Sequence, residues 1–175
     1  MEIFYGRVFK ALNKAKVKYV VVGGAAVVLH GYPRLTKDLD LIVFLEARNL
    51  EKLFSALKSA DYGPKVPITK EQFKDKKQRE LWKKEKGMIV FSFVEKDPPF
   101  KLIDMFVDEP LPFDEIYKKR VYANLEGIKV PLISIDHLKK LKEIAGRPQD
   151  LIDIVQLEAI QRLNYETEIK ANKKK

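Results

Sequence analysis

The chain has 175 residues and no cysteine, and its 34 Lys and Arg against 25 Asp and Glu give a formal charge of +9. Without cysteine there are no disulfide scaffolds, thiolate metal sites or cysteine nucleophiles, and two histidines, His30 and His137, are too few for a multi-histidine metal centre. At 46% hydrophobic residues a real core is expected, in one domain at this length. The longest near-apolar run, residues 19–29, falls short of the ~20 residues that span a bilayer. Charges interrupt the apolar residues of the opening MEIFYGRVFKALNKAK, unlike a secretion signal, so we expect a cytoplasmic protein with no membrane partner.

Ile3, Phe4, Val8, Ala11, Leu12 and Ala15 recur at helical spacing and predict an amphipathic first helix. KYVVV then reads as a buried strand closed by Gly23-Gly24, and AAVVLHG as a short helix ended by Gly31 with Pro33 beyond it. DLDLIVF predicts a second strand, followed by a helix over about 49–60. Residues 61–69, with Gly63, Pro64 and Pro67, read as a loop or short edge strand. GMIVFSFV and KLIDMFV suit an antiparallel pair of strands joined by EKDPPF. A short helix near 113–117 and a hairpin over 119–133 turning at Glu126-Gly127 come next. Ser134 caps a helix running to Ala145 with Gly146 as its stop, and Pro148 opens a last helix to about Leu163. The mixture, without regular βαβ alternation, predicts an α+β domain over 1–165 with a mixed sheet of four to five strands and a helix pair, 134–163, packed on it. Residues 166–175 read as a basic tail.

The positive charge is local. Residues 70–86 hold eight basic and four acidic side chains, KANKKK ends the chain with four lysines, and the remainder is nearly neutral. Such patches can track a phosphate backbone, so RNA or tRNA is a candidate partner for 70–86; a solvated charged surface is the plainer alternative.

Chemistry gathers elsewhere. Asp38 and Asp40 stand two apart at a strand start, and residues i and i+2 share a strand face. Two ionised carboxylates side by side repel unless a cation or shared proton compensates, and oxygen donors of this kind suit Mg²⁺. Asp104, between Ile103 and Met105 in an apolar strand, is costly to bury alone. With its strand beside theirs it would complete a three-carboxylate site for two metal ions. Gly23-Gly24, opening a helix, lets backbone N–H groups approach a phosphate closely. Each element alone also reads as ordinary turn or edge chemistry; the three in this order describe a nucleoside triphosphate (NTP) site.

The stretch VVVGGAAVVLHGYPRLTKDLDLIV resembles the signature of the nucleotidyltransferase superfamily with the DNA polymerase β-like fold. It is most similar to the minimal and abortive-infection-type members, a group that includes toxins of toxin–antitoxin pairs. The segment 138–157 resembles the helix pair of that subgroup. The resemblance implies transfer of a nucleoside monophosphate from an NTP such as ATP to a hydroxyl of RNA, a protein or a small molecule. It assigns Asp38, Asp40 and Asp104 to two Mg²⁺ ions (or Mn²⁺) and to catalysis. Gly23, Gly24 and Lys142 fall to the nucleotide, with Asp150 or Asp153 positioning Lys142; Arg34 and Thr36, in the turn leading to Asp38, are further candidates for a phosphate. An antitoxin or other protein partner is a further implication. Many members carry serine after the first glycine; here it is Gly24. Arg34 can equally pair with the carboxylates. Lys142 with Asp150 and Asp153 can equally be a surface lysine and a helix-start acidic pair. The alternative to an enzyme is a non-catalytic RNA- or partner-binding module on the same fold.

Overall fold

The amphipathic opening forms helix α1 (Gly6–Lys14), which buries Val8, Phe9 and Leu12, in a computed structural model that describes residues 5–172. Ile3 and Phe4, expected on the same face, lie outside the described residues. Strand β1 (Tyr19–Val22) is buried at every position, as its β-branched run requires, and runs directly into the short helix α2 (Gly23–Leu29). Strand β2 (Leu39–Val43) and helix α3 (Ala47–Ser59) follow, α3 starting where Glu46 caps the N–H groups of Arg48 and Asn49. Residues 62–64 form the short strand β3 (Tyr62–Pro64), the edge-strand option of the sequence reading.

The charged segment 70–86 is two helices rather than one stretch. Thr69 and Gln72 form a reciprocal capping box on α4 (Lys70–Lys74), and Asp75 both ends α4 and caps α5 (Lys76–Lys86). Phe73 and Trp82 are buried, 6.3 Å apart between ring centres. Strands β4 (Val90–Glu95) and β5 (Leu102–Phe106) alternate buried and half-buried residues, with Phe91, Phe93, Ile103 and Met105 facing the core. After α6 (Phe113–Lys118) come the hairpin strands β6 (Val121–Leu125) and β7 (Ile128–Leu132), then α7 (Ile135–Ala145) and α8 (Pro148–Asn172).

Among the described residues seven strands join one mixed sheet in the order β3-β4-β5-β2-β1-β7-β6, not the four to five expected. The hairpin enlarges it. Strand β7 lies parallel to β1 with Val21 opposite Leu132, and Ile133 N–H donates to the Val21 carbonyl at 3.1 Å. That pairing joins segments distant in the chain and leaves no local signature. Helix α8 also outruns its expected end near Leu163 and continues through Asn172, so most of the expected tail is helical. Lys173, Lys174 and Lys175 lie outside the described residues.

Candidate active site

Strand register assembles the site. Asp40 on β2 pairs with Asp104 on β5 in parallel register, Ser92 on β4 lies opposite Asp104, and Val22, next to Gly23, lies opposite Asp40. Ser92, Asp104, Asp40 and the start of α2 thus form a row across four adjacent strands, ~4.8 Å per step. The Ser92 hydroxyl donates to Asp104 Oδ1 at 2.6 Å. Asp38, two residues before Asp40, is near enough for the Asp104 charge to act on it.

Both glycines are there because other atoms fill the space of a side chain. A Cβ on Gly23, whose φ is +63°, would lie 1.9 Å from Asp40 Oδ2. A Cβ on Gly24 would lie 2.7 Å from Thr36 Oγ1 and 3.1 Å from Arg34 Nη2. At position 24, where the resemblance leads one to expect serine, the Thr36 hydroxyl and the Arg34 guanidinium occupy the space of a side chain. The Gly24 N–H lies near enough to the Asp40 carboxylate to favour its ionised form.

The carboxylates are short of positive charge. Burial, then the neighbouring charges of Asp104 and Asp38, push Asp40 up to about 6, against smaller opposing effects of the Gly24 N–H and of Arg147. Asp38 is also raised, by burial first and Asp104 second.

Across from them the helix pair carries a buried ionic network. Lys142 is 4% exposed, and its Nζ lies 2.5 Å from Asp153 Oδ2 and 3.2 Å from Asp150 Oδ1. Arg34 Nη1 reaches the same Asp153 Oδ2 at 2.5 Å, tying the 31–38 loop to α8. Arg147 Nε donates to Asp150 Oδ2 at 2.7 Å. Burial raises the Asp150 pKa, but hydrogen bonds from Arg147 and Lys142 outweigh it and hold the carboxyl below its ordinary value. Lys142 is thus no surface lysine, and Arg34 pairs with Asp153 rather than with Asp38 or Asp40.

A family model described as Nucleotidyltransferase of unknown function (DUF6036) matches residues 7–171. The chain belongs to this nucleotidyltransferase family. Its fold is shared with solved nucleotidyltransferases. The lincosamide antibiotic adenylyltransferase LnuA superposes with a TM-score of 0.56 at 17% identity, covering 91% of this chain and 99% of that one. The Thermotoga maritima nucleotidyltransferase-fold protein TM1012 gives 0.53 at 13% identity, over 91% and 89% of the two chains. ANT(2″)-Ia, solved with adenylyl-2″-tobramycin, gives 0.53 at 14% identity, over 94% and 95%. No curated protein matches the chain by sequence.

In this nucleotidyltransferase the donor set of the three aspartates is all carboxylate oxygen, and the raised Asp40 marks a site short of positive charge. Both observations fit a divalent cation. The side chains are not drawn together around one point: among the described residues no three of His, Cys, Asp and Glu are arranged to hold a metal ion. Ser92 and Arg147 belong to the site and were not singled out from sequence. Ser92 was legible as the polar residue of an alternating strand, but not its register against Asp104. Arg147 read only as the link between Gly146 and Pro148; its spacing of three from Asp150 was the available signal.

The charged 70–86 segment lies apart from this row. Arg79 is buried, donating to the carbonyls of Val107, Phe73 and Lys74 at 3.1, 2.6 and 3.1 Å, so it is no part of a surface patch. Lys70, Lys74 and Lys83 pair with Glu51, Glu51 and Asp108. His30 Nε2 lies 2.7 Å from the Ile133 carbonyl, a helix-end contact. Among the described residues no helix is long and apolar enough to cross a membrane.

Proposed function

We propose that the protein is a Mg²⁺-dependent nucleotidyltransferase that moves a nucleoside monophosphate from an NTP to a hydroxyl acceptor. The observation that carries this reading is the row of Asp104 and Asp40 on adjacent strands with Gly23 at the end of the next, and Asp38 beside it. Asp38, Asp40 and Asp104 would hold the cation, which when bound would offset the triphosphate charge. Arg34 and Arg147, each anchored on a carboxylate of α8, would take the triphosphate. Lys142 then serves the nucleotide indirectly, by fixing the two aspartates that hold those arginines. The acceptor oxygen attacks the α-phosphorus, pyrophosphate leaves, and Asp104, oriented by Ser92, takes the hydroxyl proton.

For the acceptor we favour a small hydroxyl compound. The cavity of about 560 Å³ lined by Phe44, Val107, Asp108 and residues of α5 lies past the far ends of β2 and β5 and is not part of this reading. A second domain is not needed for this reading, because LnuA, whose name is that of an antibiotic adenylyltransferase, is matched over 99% of its length. The test incubates the protein with each α-labelled NTP, Mg²⁺ and, separately, total tRNA, a protein extract and a panel of small hydroxyl compounds. Label should enter the small-molecule arm and disappear with Asp40→Asn. Transfer to tRNA instead would move the acceptor to RNA. No transfer in any arm, with RNA but not Mg²⁺–NTP raising the melting temperature, would favour the non-catalytic module.

A further inference from the structure

Positive charge also gathers at the end of β1 away from Gly23. Residues 13–18, 117–122 and 128–132 hold seven basic side chains and no acidic one. The fold brings these distant segments together: Lys16, Tyr19, Tyr117, Arg120, Tyr122 and Lys129 are among the residues lining a cavity of about 260 Å³, and among the described residues no carboxylate lines it. Arg120 is held in place. Its Nε donates to the Tyr122 hydroxyl at 2.8 Å and its Nη1 to the Tyr117 carbonyl, while its guanidinium carbon lies 3.7 Å from the centre of the Tyr117 ring. Among the described residues the N–H groups of Nη2 have no partner. Lys129 Nζ lies 4.0 Å from the centre of the Tyr122 ring, which the Arg120 guanidinium also faces at 5.2 Å. The Asn13 amide donates to the Lys129 carbonyl at 2.8 Å, and its oxygen accepts from the Tyr19 hydroxyl at 3.1 Å, so the base of the cavity is tied together. Lys70, Lys74 and Lys83 each have a carboxylate partner; among the described residues Lys16, Arg120 and Lys129 have none. Lys16 adds an independent sign. It follows the last turn of α1 with φ +53°, its N–H donating to the Asn13 carbonyl and that of Val17 to the Leu12 carbonyl, each at 3.0 Å. This is the left-handed helix-end position that glycine fills most readily, and α5 and α7 do end on Gly87 and Gly146 there. A lysine held in a conformation that disfavours it points to a use for its side chain.

We propose that this cavity is a phosphate-binding site, separate from the one proposed for the triphosphate. Three cations without a carboxylate, one of them a planar fork already fixed by hydrogen bonds, suit the several oxygens and two charges of a phosphate ester better than the single charge of a carboxylate. Holding Arg120 in advance spares the cost of ordering it when the ligand arrives. At about 260 Å³ the cavity is smaller than most sites that enclose a whole small molecule, so it takes the phosphate and leaves the remainder of the ligand outside. A free nucleotide and the backbone of a nucleic acid both present this group, and the further phosphates of a backbone would meet the neighbouring lysines of 14–18 and 118–119. The length of β1, ~13 Å from Tyr19 to Gly23, separates the cavity from the glycine turn, so binding here does not depend on the carboxylates.

The test uses the full chain in a chelator, with AMP as one probe and a short fluorescent oligouridylate as the other. The Arg120 Nε–H resonance, assigned by its loss in Arg120→Gln, should shift as the probe is added, a local signal that binding at the carboxylate row would not give. Lys16→Gln with Lys129→Gln, both exposed, should leave the melting temperature unchanged and weaken binding at least tenfold. Lys77→Gln with Lys84→Gln removes the same charge from the exposed side of α5 and should change binding by less than about twofold. A shift with AMP alone would name a free nucleotide as the source. Tighter binding of the oligouridylate, falling steeply with salt, would name a nucleic-acid backbone. An Arg120 resonance that neither probe moves, an affinity that Lys16→Gln with Lys129→Gln leaves intact, or an equal loss in the α5 pair would overturn the proposal.

Discussion

Replacing Asp40 by asparagine should make the protein more stable at neutral pH while removing its function. The carboxyl is raised from its ordinary 3.8 to about 6, which means the folded state resists its ionisation. At ~1.4 kcal/mol per tenfold this is worth about 3 kcal/mol. The coupling with Asp38 and Asp104 is shared among the three, so we take about 2 kcal/mol for Asp40 alone. The sign follows from proton counting. Between pH 3.8 and about 6 the folded chain binds more protons than the unfolded one, so stability falls as pH rises through that window. Above it the penalty is complete, and below it the penalty is absent. Asparagine keeps an oxygen near the Gly24 N–H and loses the charge. Asp40→Asn should therefore gain about 2 kcal/mol, or roughly 6 °C in melting temperature, at pH 8 in a chelator. The gain should vanish by about pH 4. Urea melts of both proteins across that range measure it. Adding Mg²⁺ at pH 8 should then stabilise the wild type and leave the variant unmoved. A variant less stable at pH 8, or a difference that does not change with pH, would refute the claim that uncompensated charge raises Asp40.

Gly24→Ser should cost about 1–2 kcal/mol in a chemical melt, because its Cβ meets Thr36 Oγ1 at 2.7 Å, and Thr36→Ala in the same chain should recover most of it. Gly23→Ala should find no such rescue, since its added carbon collides with Asp40 itself and the backbone is left-handed there; loss of nucleotidyl transfer in a folded protein is the expected reading. Lys142→Met should destabilise by about 3 kcal/mol, leaving Asp150 and Asp153 buried with one cation fewer. By contrast Arg147→Ala, whose side chain is 73% exposed, should change stability by less than ~1 kcal/mol and weaken NTP binding in calorimetry. Burial lowers the His30 pKa, so the folded state prefers neutral imidazole. Its share of stability is present above the unfolded value of ~6.5 and lost as pH falls, and an NMR titration midpoint at or above ~6.5 would contradict this.

Legibility in the sequence followed the range of the interaction. The first strand, its Gly-Gly end and the Asp38–Asp40 pair were readable because adjacent residues determine them, and helix ends were readable where Ser134, Gly146 and Pro148 set them. The width of the sheet was not, because β7 joins β1 through a parallel pairing of Val21 with Leu132, which no neighbouring residue announces. Arg79 misled for a related reason. A guanidinium among lysines reads as surface charge, yet three backbone carbonyls, one of them just past the end of β5, take it into the interior. Within the site, Asp104 could be singled out as a costly charge in an apolar strand, whereas Ser92 becomes informative only once register places it opposite.

The buried network on α8 bears on why the carboxylates remain uncompensated. Burying Lys142 between Asp150 and Asp153 gains little stability over apolar packing of the same volume, so its value has to lie in what it fixes. Asp153 Oδ2 holds both Lys142 and Arg34 at 2.5 Å. Arg34 also lies 3.1 Å from the space above Gly24, one residue from the glycine that touches Asp40. With Nη1 held by Asp153 that guanidinium is committed to α8, whereas an arginine settled on Asp40 or Asp38 would neutralise the charge the proposed cation would meet. Anchored on α8 through Nη1, Arg34 keeps Nη2 toward the glycine turn and leaves Asp40 raised. Positive charge beside the helix pair and negative charge on the sheet are thereby kept apart, which is the arrangement the proposed pairing of a cation with a triphosphate would need.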